Sequence, residues 1–169
     1  MKISENAINA LKELEGTVKK DGLHVIYDDS TGQFVPVENG QRVSGATIGY
    51  GHLILPDESF EGGLTEAQAT NLLLADIKKT EEVINKALTV HLNQNQYDAL
   101  VILVYNIGEK NFLRSTVLKY INNPNFFSKS YPNLKSAWLA WNKYRGRVSK
   151  GLTYRRNYEW RLFYNGIYD

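Results

Sequence analysis

Thr47-Ile48-Gly49-Tyr50-Gly51-His52 is the stretch from which the fold reads outward. Thr47 and Ile48 are β-branched and favour a strand, and two glycines one residue apart suit a twisted turn. The stretch closes a segment, residues 23–55, that is rich in Val, Ile, Tyr, Phe and Thr. That segment is broken by Asp28-Asp29-Ser30-Thr31-Gly32, Glu38-Asn39-Gly40 and Ser44-Gly45. It reads as a small antiparallel sheet of two or three short strands. Thr47 would return opposite His24-Val25-Ile26-Tyr27 and lie across from the Asp28-Asp29 pair.

Helices are expected on both sides. Ile3, Ala7, Ala10, Leu11 and Leu14 recur at helical spacing over residues 3–15, and Gly16 is a natural stop. Thr65 and Gln68 have capping-box spacing and open a helix to about Leu88. Asn93 caps the next, whose stretch Tyr97 to Tyr105 is apolar nearly all round and so predicts a central, buried helix ending near Gly108. Ser115 starts a short helix to about Asn122, Pro132-Asn133 starts one carrying Trp138 and Trp141, and the last runs from Leu152 to Tyr164. Strands segregated from helices make the fold class α+β. The expectation is a single domain over residues 1–169, with a helix at 3–15, a β-rich lobe at about 23–55 and a helical lobe at about 64–169. A cleft is expected between the small sheet lobe and the larger helical lobe.

The chain has 169 residues, 43% of them hydrophobic and 22% charged, which excludes a disordered or collagen-like protein. Its longest apolar run, Ala99 to Tyr105, is too short to span a bilayer, so no stable membrane insertion is expected. Cys is absent, which removes disulfide and thiol chemistry. The three histidines have no metal-ligand spacing, so no metal and no cofactor is expected. His24 and His91 read as incidental. Residues 2–6 contain no apolar signal core, which implies cytoplasmic synthesis. The net charge of +2 hides a split: residues 1–109 hold 8 Lys and Arg against 16 Asp and Glu, and residues 110–169 hold 12 against 2.

Glu15 stands at the edge of the apolar stripe, beside Ile8 and Leu11, in the last turn of its helix. Burial and the negative end of the helix dipole both disfavour a charged carboxylate, the condition a general acid needs. The competing reading is a solvated or Arg-paired Glu. Neighbouring strand residues face opposite sides, so only one of Asp28 and Asp29 can face a cleft. A carboxylate and the Thr47 hydroxyl opposite a protonated Glu can hold a water, the inverting glycosidase arrangement. Turn chemistry alone also accounts for the Asp pair.

Together these residues resemble the phage-type lysozymes, glycoside hydrolase family 24. The resemblance is carried by Glu15-Gly16, Tyr27-Asp28-Asp29 and Thr47-Ile48-Gly49-Tyr50-Gly51-His52. It continues in Leu64-Thr65-Glu66-Ala67-Gln68-Ala69, in Asn93 to Leu100 with Asn106-Ile107-Gly108, and in Gly151-Leu152-Thr153-Tyr154-Arg155-Arg156-Asn157-Tyr158-Glu159. It implies a lysozyme-like fold and an endolysin-type muramidase that cuts the β-1,4 bond between N-acetylmuramic acid and N-acetylglucosamine in peptidoglycan and lyses the host. A lytic transglycosylase, or a secreted or injected antibacterial toxin with this domain, is the alternative. By the same resemblance Glu15 is the catalytic acid, Asp29 the catalytic aspartate and Thr47 the water-placing threonine. His52 is a structural partner near the acid, and Arg155, with Arg156 close behind, pairs with the Glu. Thirteen residues separate Glu15 from Asp29 and seventeen separate Asp29 from Thr47. Both gaps are longer than the family's usual spacing, which leaves Asp28 as an alternative to Asp29.

The implied partner is the peptidoglycan glycan strand, the protein acting as a monomer on the wall in the periplasm after membrane permeabilisation. Trp138, Trp141 and Trp160 at helical spacing read as core rather than sugar platforms. The cluster Arg145, Arg147, Lys150, Arg155 and Arg156 lacks a helix-turn-helix, finger or RNP-like motif, so no nucleic-acid partner is expected. The basic part is expected to meet the acidic cleft in part, and in part to suit a polyanionic envelope.

Overall fold

The computed structural model describes residues 1–28, 35–36 and 45–168. Seven helices and eight short strands are present among them: α1 (Glu5–Glu15), β1 (Lys19–Lys20), β2 (Leu23–His24), β3 (Tyr27–Asp28), β4 (Val35–Pro36), β5 (Ala46–Ile48), β6 (His52–Leu53), α2 (Glu66–Ala87), α3 (Gln94–Ile107), α4 (Glu109–Leu113), α5 (Thr116–Asn122), α6 (Leu134–Leu139), β7 (Lys143–Tyr144), β8 (Arg147–Val148) and α7 (Lys150–Asn165). The class is α+β. The chain divides into two compact units, Lys12–Lys78 and Met1–Leu11 with Lys79–Asp169. The division falls inside α1 and α2.

The first unit carries the sheet. β1 and β2 form a hairpin, and the second sheet has the antiparallel order β4-β3-β5-β6. Thr47 pairs with Tyr27 and Asp28 with Ala46, so the threonine lies one residue away from the expected position opposite the Asp pair. The hairpin begins at Lys19 rather than at 23, because Asp21 and Gly22 supply the two positive φ angles, 51° and 82°, of a two-residue turn. His24 joins this hairpin to the start of α2 through two backbone hydrogen bonds with Leu64, at 2.8 and 2.9 Å.

The other unit is built around α3, where Tyr97 to Val104 are all buried, as an all-round apolar helix requires. α3 packs chiefly on α7. Asn93 and Gln96 close a capping box at its start, and Gly108 at φ 84° ends it. Thr65 with Gln68, Ser115 and Asn133 cap the helices that follow them, as their spacing indicated. Buried Asp98 holds Ser4 here: the Ser4 amide and hydroxyl donate to it at 3.0 and 2.5 Å, joined by Gln94 and the Tyr168 hydroxyl. Ser4 also accepts from the Ala7 amide, so α1 starts at Glu5 rather than at residue 3. Trp138 is fully buried, in ring contact with Trp160 and Phe163, in agreement with the core reading.

Candidate active site

The last turn of α1 delivers a half-buried Glu15, and Gly16 at φ 63° turns the chain away. The Thr47–His52 stretch meets it. Gly51 has φ 86°, and a β-carbon there would lie 3.1 Å from Glu15 Oε2. The glycine therefore answers two demands, a left-handed backbone and room for a carboxylate. Gly49, at φ 64°, lies instead against Ala69, with 3.5 Å from a β-carbon there to the alanine's own. Thr47 is 2% exposed, and its hydroxyl donates to the Gly45 carbonyl at 3.0 Å. Asp28 is half-buried in the adjoining strand, and Asp29, the expected catalytic aspartate, lies outside the described residues. A half-buried carboxyl group with no β-carbon in front of it can protonate an oxygen brought to that space.

His52 follows at once and is held at both ring nitrogens by carboxylates. Nδ1 meets Asp76 Oδ2 at 2.6 Å and Nε2 meets Glu58 Oε2 at 2.9 Å. The Asp76 hydrogen bond above all, then that to Glu58, raises the histidine's pKa against the cost of burial. Glu58 is in turn lowered, chiefly by the Leu55 backbone amide and then by His52. With a carboxylate on each ring nitrogen, His52 is a structural tie between β6 and α2, and both nitrogens are engaged rather than open to a substrate.

A second network was not foreseen. Glu66, in the first turn of α2, accepts from the Tyr50 hydroxyl at 2.6 Å, Lys19 at 2.9 Å, His24 Nε2 at 3.0 Å and Lys12 at 3.1 Å. These donors, Tyr50 foremost, hold its carboxyl far below the usual range. Burial and the Glu66 bond push the Tyr50 hydroxyl up to about 12. Lys12 also donates to Thr70 and sits 5.1 Å from the Tyr50 ring centre. The end of α1, the β1–β2 hairpin, the turn at 49–51 and α2 are therefore joined at one carboxylate. His24 corrects the reading of that residue as incidental: it is fully buried, with Thr17 on its other nitrogen at 2.7 Å. The only trace of Glu66 in the sequence is its place after a helix cap, because its donors are scattered over nearly forty positions.

In the helical unit, Arg155 and Arg156 are buried on α7 around fully buried Glu159. Arg155 Nε lies 3.3 Å and Arg156 Nη2 3.0 Å from Glu159 Oε1, while Trp138 Nε1 donates to Oε2 at 3.0 Å. Burial pushes the Glu159 carboxyl up, against the pull of both arginines. Arg155 also reaches the Ile102 carbonyl, and Arg156 the Asn106 side chain. Among the described residues no group of three or more His, Asp or Glu is placed to hold a metal ion.

Comparison with known proteins gives a consistent picture. The sequence profile of the family described as phage lysozyme matches residues 31–159. The chain is 37% identical to the endolysin of Salmonella phage P22 over 166 residues, covering 96% of this chain and 98% of that one. It is 36% identical to the endolysin of Bacillus phage PZA over 168 residues, covering 98% of this chain but only 56% of the relative's length. Among solved structures, the endolysin from Escherichia coli O157:H7 phage FAHEc1 superposes with a TM-score of 0.76 at 30% identity, over 100% of this chain and 97% of that one.

Proposed function

Since the chain belongs to the phage lysozyme family, we propose that it is a muramidase that hydrolyses the β-1,4 bond between N-acetylmuramic acid and N-acetylglucosamine in peptidoglycan. Glu15 gives its proton to the leaving glycosidic oxygen as the C1–O bond breaks. Asp29 and Thr47 hold a water on the opposite face of the ring, Asp29 takes its proton, and the oxygen bonds to C1 with inversion. His52 fixes the strand end next to Gly51. Residues 1–169 act as one catalytic domain and as a monomer. The wall is reached after the membrane has been permeabilised, and the outcome is lysis of the host cell. Among the described residues no helix is long and apolar enough to cross a membrane.

The observation that carries this reading is the contact between Glu15 and Gly51. It sets a half-buried carboxyl at the end of α1 against a backbone position kept free of a side chain. The test is Glu15→Gln, which keeps the size of the side chain and removes the acid. Clearing of purified cell walls is expected to fall by at least about 100-fold, the usual contribution of a general acid, with the thermal midpoint retained. Lysis at the wild-type rate overturns the assignment. Mass analysis of the products adds a second criterion: hydrolysis leaves reducing ends, whereas anhydro-sugar ends mean transglycosylation.

A further inference from the structure

The connection between α5 and α6, residues 123–133, carries three aromatic rings, two prolines and a lysine, and no acid. Its backbone is held in place. The Tyr120 hydroxyl donates to the Tyr131 carbonyl at 2.5 Å and the Phe126 amide to the Asn123 carbonyl at 2.9 Å. The Ser128 hydroxyl accepts from the amides of Ser130 and Tyr131 at 3.2 and 3.3 Å. Phe126 meets Tyr120 edge to face, with ring centres 5.0 Å apart. Phe127, the next residue, is left 77% exposed. A lone exposed ring needs no explanation. This one has a setting that supplies one.

The same connection walls a cavity of about 580 Å³. Pro124, Phe126 and Pro132 line it, with Val90, Ile121 and Phe163 among the residues from neighbouring elements, and none of the lining residues is acidic. The Lys119 ammonium stands 5.9 Å from the Phe126 ring centre. Lys129 and Lys135 bracket in sequence the lining stretch Pro132 to Leu134, and all three lysines are exposed. From Lys110 to Tyr158 the sequence has no Asp or Glu. A protruding phenyl ring, an apolar hollow and a surround of lysines therefore share one part of the helical unit.

We infer that this face docks on an anionic phospholipid surface. Phe127 enters the headgroup layer, Lys119, Lys129 and Lys135 meet the phosphates, and an acyl chain fills the cavity. Two features favour a bilayer over a protein. The apolar surface is convex at Phe127 and concave at the cavity, and a fluid layer fits both without a matching shape. The cations are lysines, compact charges on flexible stems, which suit a diffuse anionic plane. Protein interfaces are instead depleted in lysine and enriched in arginine. The contact is peripheral, since among the described residues no helix is long and apolar enough to cross a membrane.

The test is sedimentation of the whole chain with vesicles of phosphatidylglycerol mixed with phosphatidylcholine, beside vesicles of phosphatidylcholine alone. Binding to the anionic vesicles should be on the order of 100-fold tighter, about fivefold for each of three lysines, and should weaken as salt rises. Phe127→Ser should bind about tenfold more weakly with its thermal midpoint unchanged, because the ring is exposed in the folded chain. Phe127→Trp should keep the wild-type affinity. Lys119→Gln combined with Lys129→Gln should lose about 25-fold on anionic vesicles and little on neutral ones. Glu15→Gln should bind as the wild type does, which keeps this outcome apart from that of the catalytic reading. Equal binding to the two kinds of vesicle, full binding by Phe127→Ser or by the double lysine variant, or no binding at low salt each overturns the inference. The last is the result expected of a face that docks a protein.

Discussion

Gly51→Ala is the sharpest probe of the site, because Gly49→Ala is its built-in control. Both glycines hold positive φ, 86° and 64°. An alanine in the left-handed region costs roughly 1–2 kcal/mol, offset in part by about 0.4–1 kcal/mol from a less disordered unfolded chain. Each variant should therefore lose about 1 kcal/mol, or about 2–4 °C of melting temperature for a chain of this size. The two differ in what the new methyl meets. At Gly49 it sits 3.5 Å from the Ala69 methyl, an ordinary contact. At Gly51 it sits 3.1 Å from Glu15 Oε2, and the carboxyl must give way by a few tenths of an ångström. Stability barely registers such a shift in a flexible side chain, but proton transfer does. If a displacement of about 1 Å costs about 100-fold in rate, a few tenths costs about fivefold. Thermal unfolding and kcat on solubilised peptidoglycan, measured on both variants, give the comparison. Matched stability losses with kcat reduced only in Gly51→Ala are expected. Equal kcat in the two variants would refute the placement of Glu15 as the acid against Gly51.

The His52 cluster predicts a pH dependence. His52 is raised, so its stabilising contribution is complete below its unfolded pKa and is lost as pH rises through the folded value. Glu58 is lowered, so its contribution holds above its unfolded pKa and is lost as pH falls through its folded value. The melting-temperature advantage of wild type over His52→Gln should accordingly shrink as pH climbs from about 5 to 9, and a constant difference across that range counts against the two-carboxylate assignment. In the helical unit, Glu159→Gln leaves Arg155 and Arg156 buried without their carboxylate. A loss of about 3 kcal/mol, or about 10 °C, is expected by circular dichroism, and a shift below about 2 °C would show that the cluster does not hold α7.

Much of the fold is legible because it is written in local chemistry. Capping pairs such as Thr65 with Gln68 and Asn93 with Gln96 act within one turn, so their spacing marks helix starts wherever the rest of the chain goes. An all-round apolar run such as Tyr97 to Val104 has no face it can leave in water, so it becomes the centre of its unit. The glycines of Thr47–His52 announce a special backbone before any coordinates exist. The strand register was less legible: Thr47 stands opposite Tyr27, one position from the reading that faced it to the Asp pair, because a shift of one residue leaves composition unchanged.

Membership of the phage lysozyme family, the α+β class and the candidates Glu15, Thr47, His52 and Arg155 all follow from the order of residues along the chain. What only the tertiary structure decides is partnership. That Gly51 faces Glu15, that Asp76 and Glu58 clasp His52, and that Glu66 gathers Lys12, Lys19, His24 and Tyr50 depends on groups far apart in sequence. The physical reason is range. Caps, turns and helical periodicity act over a few residues and leave their signature in spacing, whereas ion pairs and buried hydrogen bonds select partners by distance in space, which no spacing encodes.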